Sequence, residues 1–160
     1  MSATFENLRV LQIAEEIADS VWKGVVKWDE FAKDVVGKQI ARAADSIGAN
    51  ISESFGRFHF GEKLQFLYYA RGSIFETKYW LNRVKARGLM EDAEVQAYIE
   101  QVANLARNLN IFVNSLKNVR NQETKKTKAL REMAAEYQIA LPESSSDNFF
   151  DDDDLAWLQS

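Results

Sequence analysis

Four long stretches of this 160-residue chain repeat apolar residues at helical spacing, and this periodicity is the strongest constraint on its fold. They run from about residue 5 to 28, from about 35 to 55, from about 62 to 86, and from about 92 onward. Gly88 stands where a helix C-cap is expected, and Asp92 is the expected N-cap of the fourth helix. Seven glycines and one proline offer few of the tight turns that a strand-rich fold needs. The sequence therefore predicts an all-α protein, an antiparallel up-down-up-down four-helix bundle.

The bundle is predicted to occupy residues 1–130, and residues 131–160 to form a helix extension and an acidic, aromatic-containing tail. Helix-favouring composition continues to Leu141, where Pro142 is expected to end the helix. Residues 1–131 carry 20 Lys and Arg against 16 Asp and Glu, a net charge of +4. Residues 132–160 carry 8 acids and no Lys or Arg, a net charge of −8. The acidic character thus belongs to the tail.

The residue inventory argues against catalysis and metal binding. The chain has no Cys, and its one histidine, His59, lies between two phenylalanines in a loop, where we expect a structural role. The run "DDDD" at 151–154 lacks the Gly and the spaced ligands of a calcium loop. No apolar run approaches the roughly 18 residues of a membrane span, and the N-terminus lacks a signal-peptide layout. We expect a non-enzymatic, cytoplasmic protein without cofactor, metal or membrane contact.

The second predicted helix shows three faces on a helical wheel. One is the core face, with Val36, Ile40, Ala43, Ile47 and Ile51. A strip of small residues is expected to let a neighbouring helix approach closely: Ala41, Ala44, Gly48 and Ser52. The third face is polar, and its mixture of Asn, Ser and Arg favours an interface or ligand surface over a purely solvated one, which remains the alternative. Its members are Gln39, Arg42, Ser46, Asn50, Glu53 and Arg57.

This polar face lies in "QIARAADSIGANISESFGR", which is followed by "FLYYARGSIFE". The two motifs together resemble the signature of the S23 family of 23S rRNA intervening-sequence proteins. Two departures are Ser54, where the family usually has Gly, and the tail, which family members generally lack. The resemblance implies a homopentameric ring of antiparallel four-helix bundles without known catalytic activity, with a suspected role involving RNA. Accessory variability determinants of retroelements, which bind nucleic acid and a reverse transcriptase, are more distantly similar.

Two surfaces beyond the polar face are candidates for partner binding. The third predicted helix has more aromatic residues than one core stripe needs, so some are expected to contact another subunit. The aromatic residues concerned are Tyr68, Tyr69, Tyr79 and Trp80. Basic residues mark a candidate nucleic-acid surface. They are Lys78, Arg83, Lys85, Arg87, Lys125, Lys126 and Lys128.

The tail has two interpretations. It is either a disordered segment that aids solubility, or a docking peptide whose acids steer it to a basic surface while aromatic residues anchor it. The basic surface belongs to a partner or to this protein itself, and in the second case the tail competes with nucleic acid. The docking residues are Phe149, Phe150, Asp151, Asp152, Asp153, Asp154 and Trp157. We expect an oligomeric scaffold or adaptor that engages a protein partner, with an RNA- or DNA-binding ring as the alternative.

Overall fold

The computed structural model describes residues 8–134, without the side chains of 129–134, and residues 149–160. Within these ranges the protein is all-α and contains no strand. Four helices are long: α1 Arg9–Val25, α3 Lys38–Gly56, α4 Phe60–Ala86 and α5 Asp92–Ala134. Three elements are short: α2 Glu30–Ala32, a π-helical turn at Lys33–Gly37 and α6 Asp152–Gln159. None of the described helices is long and apolar enough to cross a membrane.

The cap at the end of α4 is confirmed. Gly88 has a φ of 62°, which its missing Cβ makes accessible without steric cost. Its N–H donates to the carbonyl of Lys85, and the N–H of Leu89 donates to that of Val84. These two bonds form a Schellman motif, which satisfies carbonyls at the helix end. The predicted N-cap of the next helix is wrong by one position, because α5 begins at Asp92 itself.

The second predicted helix starts earlier than its periodicity indicates. The side chain of Asp29 accepts a hydrogen bond from the N–H of Ala32 and so caps α2. The π-helical turn then leads into α3. A Cβ added at Gly37, the last residue of the π turn, would lie 2.6 Å from Cγ1 of Val25. The absence of a side chain at Gly37 thus permits close contact between this turn and the end of α1.

The four long helices share one hydrophobic core. Helix α3 packs against α1 and α4, and α5 packs against the same two helices. The predicted core face of the second helix is confirmed, because its five members are buried; Val36 lies in the π-helical turn and the other four in α3. The small-residue strip faces α1 of the same chain: a Cβ added at Gly48 would lie 3.8 Å from Cβ of Ala14. The strip therefore serves close packing within one chain.

The end of the chain packs onto the same core. Phe149, Phe150 and Leu158 are buried, and α6 lies against α5. Disorder does not describe this part of the predicted tail. The predicted helix extension is observed as far as Ala134, and the rest of it lies outside the described residues. We call residues 149–160 the C-terminal segment.

Candidate functional site: the groove between α4 and α5

The C-terminal segment occupies a groove between α4 and α5, and Arg71 of α4 makes its largest set of polar contacts. Nε of Arg71 donates to the carbonyl of Phe149 at 2.9 Å, and Nη2 donates to Oδ2 of Asp154 at 2.5 Å. The guanidinium also lies 4.9 Å from the ring centre of Phe75 and 5.1 Å from that of Phe150. Both partners of the ion pair are half-buried, which strengthens the charge-assisted bond relative to an exposed pair.

Asn110 of α5 binds the backbone of the segment. Its Nδ2 donates to the carbonyl of Phe150 at 2.8 Å, and its Oδ1 accepts from the N–H of Phe150 at 2.5 Å. One amide side chain thus satisfies both main-chain polar groups of a buried residue, as a neighbouring strand would do. This pairing recognises the main chain of one residue whatever its side chain.

Aromatic rings fill the rest of the groove. Phe75 stacks with Phe150 at a centroid distance of 5.9 Å and with Trp157 at 5.2 Å. Tyr68 packs against Phe149 at 4.7 Å. Offset-stacked and tilted ring pairs add about 0.5–1.5 kcal/mol each to the burial of their area. The groove is therefore defined by Tyr68, Arg71, Phe75 and Lys78 of α4 and by Asn110 of α5.

The four consecutive aspartates form the start of α6. Asp151 is the N-cap: its Oδ1 accepts from the N–H of Asp154 at 2.8 Å, and Oδ2 of Asp154 accepts from the N–H of Asp151 at 3.2 Å. This reciprocal arrangement is a capping box. Acids in the first turn also suit the positive end of the helix dipole. Asp154 thus stabilises α6 and holds it to Arg71, while the other three aspartates are exposed.

Lys78 lies buried beneath the segment. Its side chain is 0% exposed, and Nζ has no hydrogen-bond partner among the described residues. The ring centre of Trp157 lies 6.0 Å from Nζ. Burial lowers the pKa of Lys78 from its ordinary value of 10.5, and the positive charge of Lys85 acts in the same direction. In this arrangement Lys78 is not accessible to a phosphate.

The other candidate nucleic-acid contacts lie at the surface. Arg83, Lys85 and Arg87 are exposed near the C-terminal end of α4, and the Arg83 guanidinium lies 5.8 Å from the ring centre of Tyr79. Lys125 and Lys126 are exposed on α5, and Lys128 is half-buried.

The polar face of α3 makes local pairs, two of which reach α4. Nη2 of Arg42 donates to Oε1 of Gln39 at 2.6 Å. Nδ2 of Asn50 donates to the carbonyl and the hydroxyl of Ser46, and that hydroxyl accepts from Ser73 of α4 at 3.0 Å. Ser46 and Ser73 belong to the two halves of the quoted sequence motif, so these halves meet between α3 and α4.

The second contact with α4 is made by Arg57. It forms an ion pair with Glu53, and its guanidinium lies 4.5 Å from the ring centre of Phe66. His59 is exposed and precedes α4, and its ring packs edge-to-face on Phe58. No group of three or more His, Cys, Asp or Glu within the described ranges could hold a metal ion.

Sequence reasoning singled out the segment but missed three residues of the groove that holds it: Arg71, Phe75 and Asn110. Two of them carried a usable signal. Asn110 is a polar amide beside the apolar Leu109 of α5, and Arg71 lies inside the second sequence motif. The acids at 151 and 154 also have the spacing of a capping box, which predicts a helix start.

Comparison with known proteins agrees with the motifs. The model of the family described as 23S rRNA-intervening sequence protein matches residues 6–111, more than half of the chain. No curated protein matches the chain. The match includes every groove residue and ends before the C-terminal segment. The chain belongs to the 23S rRNA-intervening sequence protein family.

Proposed function

We propose that this protein is a non-enzymatic, oligomeric scaffold or adaptor, and that it engages a protein partner through the C-terminal segment and its groove. The observation that carries the proposal is the docked segment itself. Asn110 holds both main-chain groups of Phe150, Arg71 holds a carboxylate, and aromatic rings anchor the remainder. These are the elements of short-peptide recognition.

In this proposal α1, α3, α4 and α5 form an antiparallel up-down-up-down bundle. The short connections between consecutive packed helices support that topology, for example residues 57–59 between α3 and α4. Five such chains form a closed ring, as the family resemblance implies. The bundle ends near residue 130, and the remaining 30 residues carry the recognition segment.

The chain between α5 and the segment is long enough for the segment to dock on its own chain. Residues 135–148 span up to about 49 Å when extended. Between Asn110 and Ala134, α5 covers about 36 Å. The segment therefore reaches its own groove with length to spare. Docking of the segment on its own chain is intramolecular, which favours an occupied groove without requiring high intrinsic affinity.

A pull-down with nuclease-treated lysate and matched variants tests the proposal. Asn110→Ala releases the segment while leaving its sequence intact. The control is Asn108→Ala, because the Asn108 amide bonds to Asn104 one helical turn away. Phe150→Ala releases the segment and removes an anchor. If the partner binds the segment, Asn110→Ala raises recovery and Phe150→Ala abolishes it; if it binds the groove, the signs reverse. Recovery that neither substitution changes contradicts the proposal.

A nucleic-acid-binding ring is the second candidate. The observation that favours it is the exposed basic cluster of Arg83, Lys85 and Arg87, which a ring would repeat. Residues 132–160 carry a charge of −8 and would oppose phosphate binding. Deleting residues 143–160 should then tighten binding of a labelled RNA duplex, with a steeper salt dependence. Arg87→Ala should reduce the salt slope by about 1. A duplex affinity that neither change alters contradicts this alternative.

A further inference from the structure

The docked C-terminal segment leaves one polar group of its groove, Nζ of Lys78, without a hydrogen-bond partner among the described residues. The segment carries four aspartates, but Asp154 is paired with Arg71 and the other three are exposed. Nζ of Lys78 has no hydrogen-bond partner among the described residues, and the ring centre of Trp157 lies 6.0 Å from it. A buried ammonium that lacks an anion is strongly unfavourable, because it has lost water without gaining a partner. The segment thus brings no carboxylate to Lys78.

The other residues of the groove indicate which kind of ligand would pair with Lys78. The amide of Asn110 presents one donor and one acceptor to the main chain of a single residue. Arg71 binds a carbonyl and a carboxylate at once. A peptide supplies all of these groups from one short stretch, whereas a chain of phosphates has no donor for Oδ1 of Asn110. The chemistry favours a peptide main chain over a phosphate backbone.

We propose that the groove is the receptor for an acidic-aromatic peptide of a protein partner that brings a carboxylate to Lys78, and that residues 149–160 occupy it as an internal competitor. This inference rests on the proposed adaptor function and assigns the receptor role to the groove. A partner peptide has to displace a tethered competitor, so it needs an interaction that the competitor lacks. The ion pair with Lys78 supplies it.

The site can be tested with peptides of known sequence. The probes are two labelled synthetic peptides: residues 149–160, and the same peptide with Trp157→Glu. The receptor is the full chain with Phe150→Ala and Asp154→Ala, which release the segment and leave the groove accessible. Both substitutions lie within the segment, so the contacts among the four long helices are kept. Fluorescence anisotropy gives four affinities, for each peptide with Lys78 and with Lys78→Met. Lys85→Met is the matched control, since Lys85 is an exposed lysine of the same helix.

The readout is the coupling between Lys78→Met in the opened chain and Trp157→Glu in the peptide. The four affinities form a double-mutant cycle, in which the loss of the Trp157 ring cancels. Both peptides should bind the opened chain. The Trp157→Glu peptide should lose about tenfold more affinity than the native peptide on Lys78→Met, and both should be unaffected by Lys85→Met. A coupling below about twofold, or no binding of either peptide, overturns the inference.

A second measurement avoids the opened chain. Excess Trp157→Glu peptide contains no tryptophan, so a change in the emission of the wild-type chain reports displacement of its own segment. An unchanged emission at millimolar peptide also counts against a receptor groove. If these tests fail while Asn110→Ala still raises partner recovery, the adaptor function stands and the partner binds the segment instead.

Discussion

At the scale of single residues, Arg71 and Lys78 meet the same segment with opposite outcomes. Arg71 has a planar fork of donors and binds a carbonyl, a carboxylate and two ring faces together. Lys78 presents a compact ammonium, which finds one ring and no hydrogen-bond partner among the described residues. The first residue therefore holds the segment, and the second opposes its docking.

Lys78→Met should stabilise the isolated protein, because it removes an unpaired buried charge and keeps the volume of the side chain. We expect a gain of about 1–3 kcal/mol near neutral pH, seen as a rise of several degrees in Tm. Thermal melts of Lys78→Met and Lys85→Met beside wild type measure this gain. A Lys78→Met protein that melts below wild type would mean that the cation–π contact outweighs the cost of burial.

The stability gain of Lys78→Met should depend on pH in one direction. The pKa of Lys78 is lower in the folded state than its ordinary value of 10.5, so the unfolded chain binds more protons between these values. Wild-type stability therefore rises with pH across that interval. The advantage of Lys78→Met is greatest below the folded pKa and shrinks as the pH approaches 10.5. An advantage that is constant with pH would contradict a lowered pKa.

Two alanine substitutions on the polar face of α3 should lower the free energy of unfolding by unequal amounts. Arg57→Ala removes the ion pair with Glu53 and the contact with Phe66, and should cost about 0.5–1.5 kcal/mol. Glu53→Ala removes only the partly exposed ion pair and should cost about 0.2–0.5 kcal/mol. Urea unfolding separates these values. Two equal losses would show that the ring contact contributes nothing.

At the scale of elements, the sequence predicted what depends on local order along the chain. Apolar spacing located the core face of α3, and Gly88 marked the end of α4 because few other residues adopt a positive φ. The π-helical turn was missed because apolar spacing does not distinguish it from an α-helix, and the close contact of Val25 with Gly37 joins two elements. The start of α6 was missed although its capping box is local, since the acidic run was interpreted only for its charge.

Alanine substitutions at Gly72 of α4 and at Gly88 in its C-cap should change the free energy of unfolding in opposite directions. Gly88→Ala places a Cβ on a residue with a φ of 62° and should cost about 1 kcal/mol. Gly72 lies within the helix, where an added Cβ meets nothing within 4 Å, so Gly72→Ala should add about 0.5–1 kcal/mol. Chemical unfolding tests the pair. A loss at Gly72 would indicate that another chain approaches this position.

At the scale of the whole molecule, the groove depends on contacts that periodicity does not encode. Asn110 and Phe150 are 40 positions apart, and Arg71 and Asp154 are 83 apart. A helical pattern specifies which face is apolar, but not which distant segment covers it. The same limit explains Lys78, which was expected at a surface because lysines are rarely buried. Of the aromatic residues proposed as anchors, Phe149 and Phe150 are buried and Trp157 is 42% exposed; burying large aromatic residues is favourable in any context, which is why they stood out as candidates.

The exposed aromatic residues of α4 lead to a prediction about assembly. Tyr69 and Tyr79 are 50% and 52% exposed, and Gly72 between them leaves room for another backbone. An aromatic surface of this kind is unusual on a monomer.

Mass photometry at micromolar concentration should give about 92 kDa for a pentamer of the 18.3 kDa chain. The double variant Tyr69→Ser and Tyr79→Ser should shift the distribution toward smaller species at unchanged helicity. Ile111→Ser, which alters a residue 69% exposed on α5, is the matched control and should leave the mass distribution unchanged. A wild-type protein that stays monomeric would contradict the assembly, and an intact pentamer of the double variant would place the interface on another face.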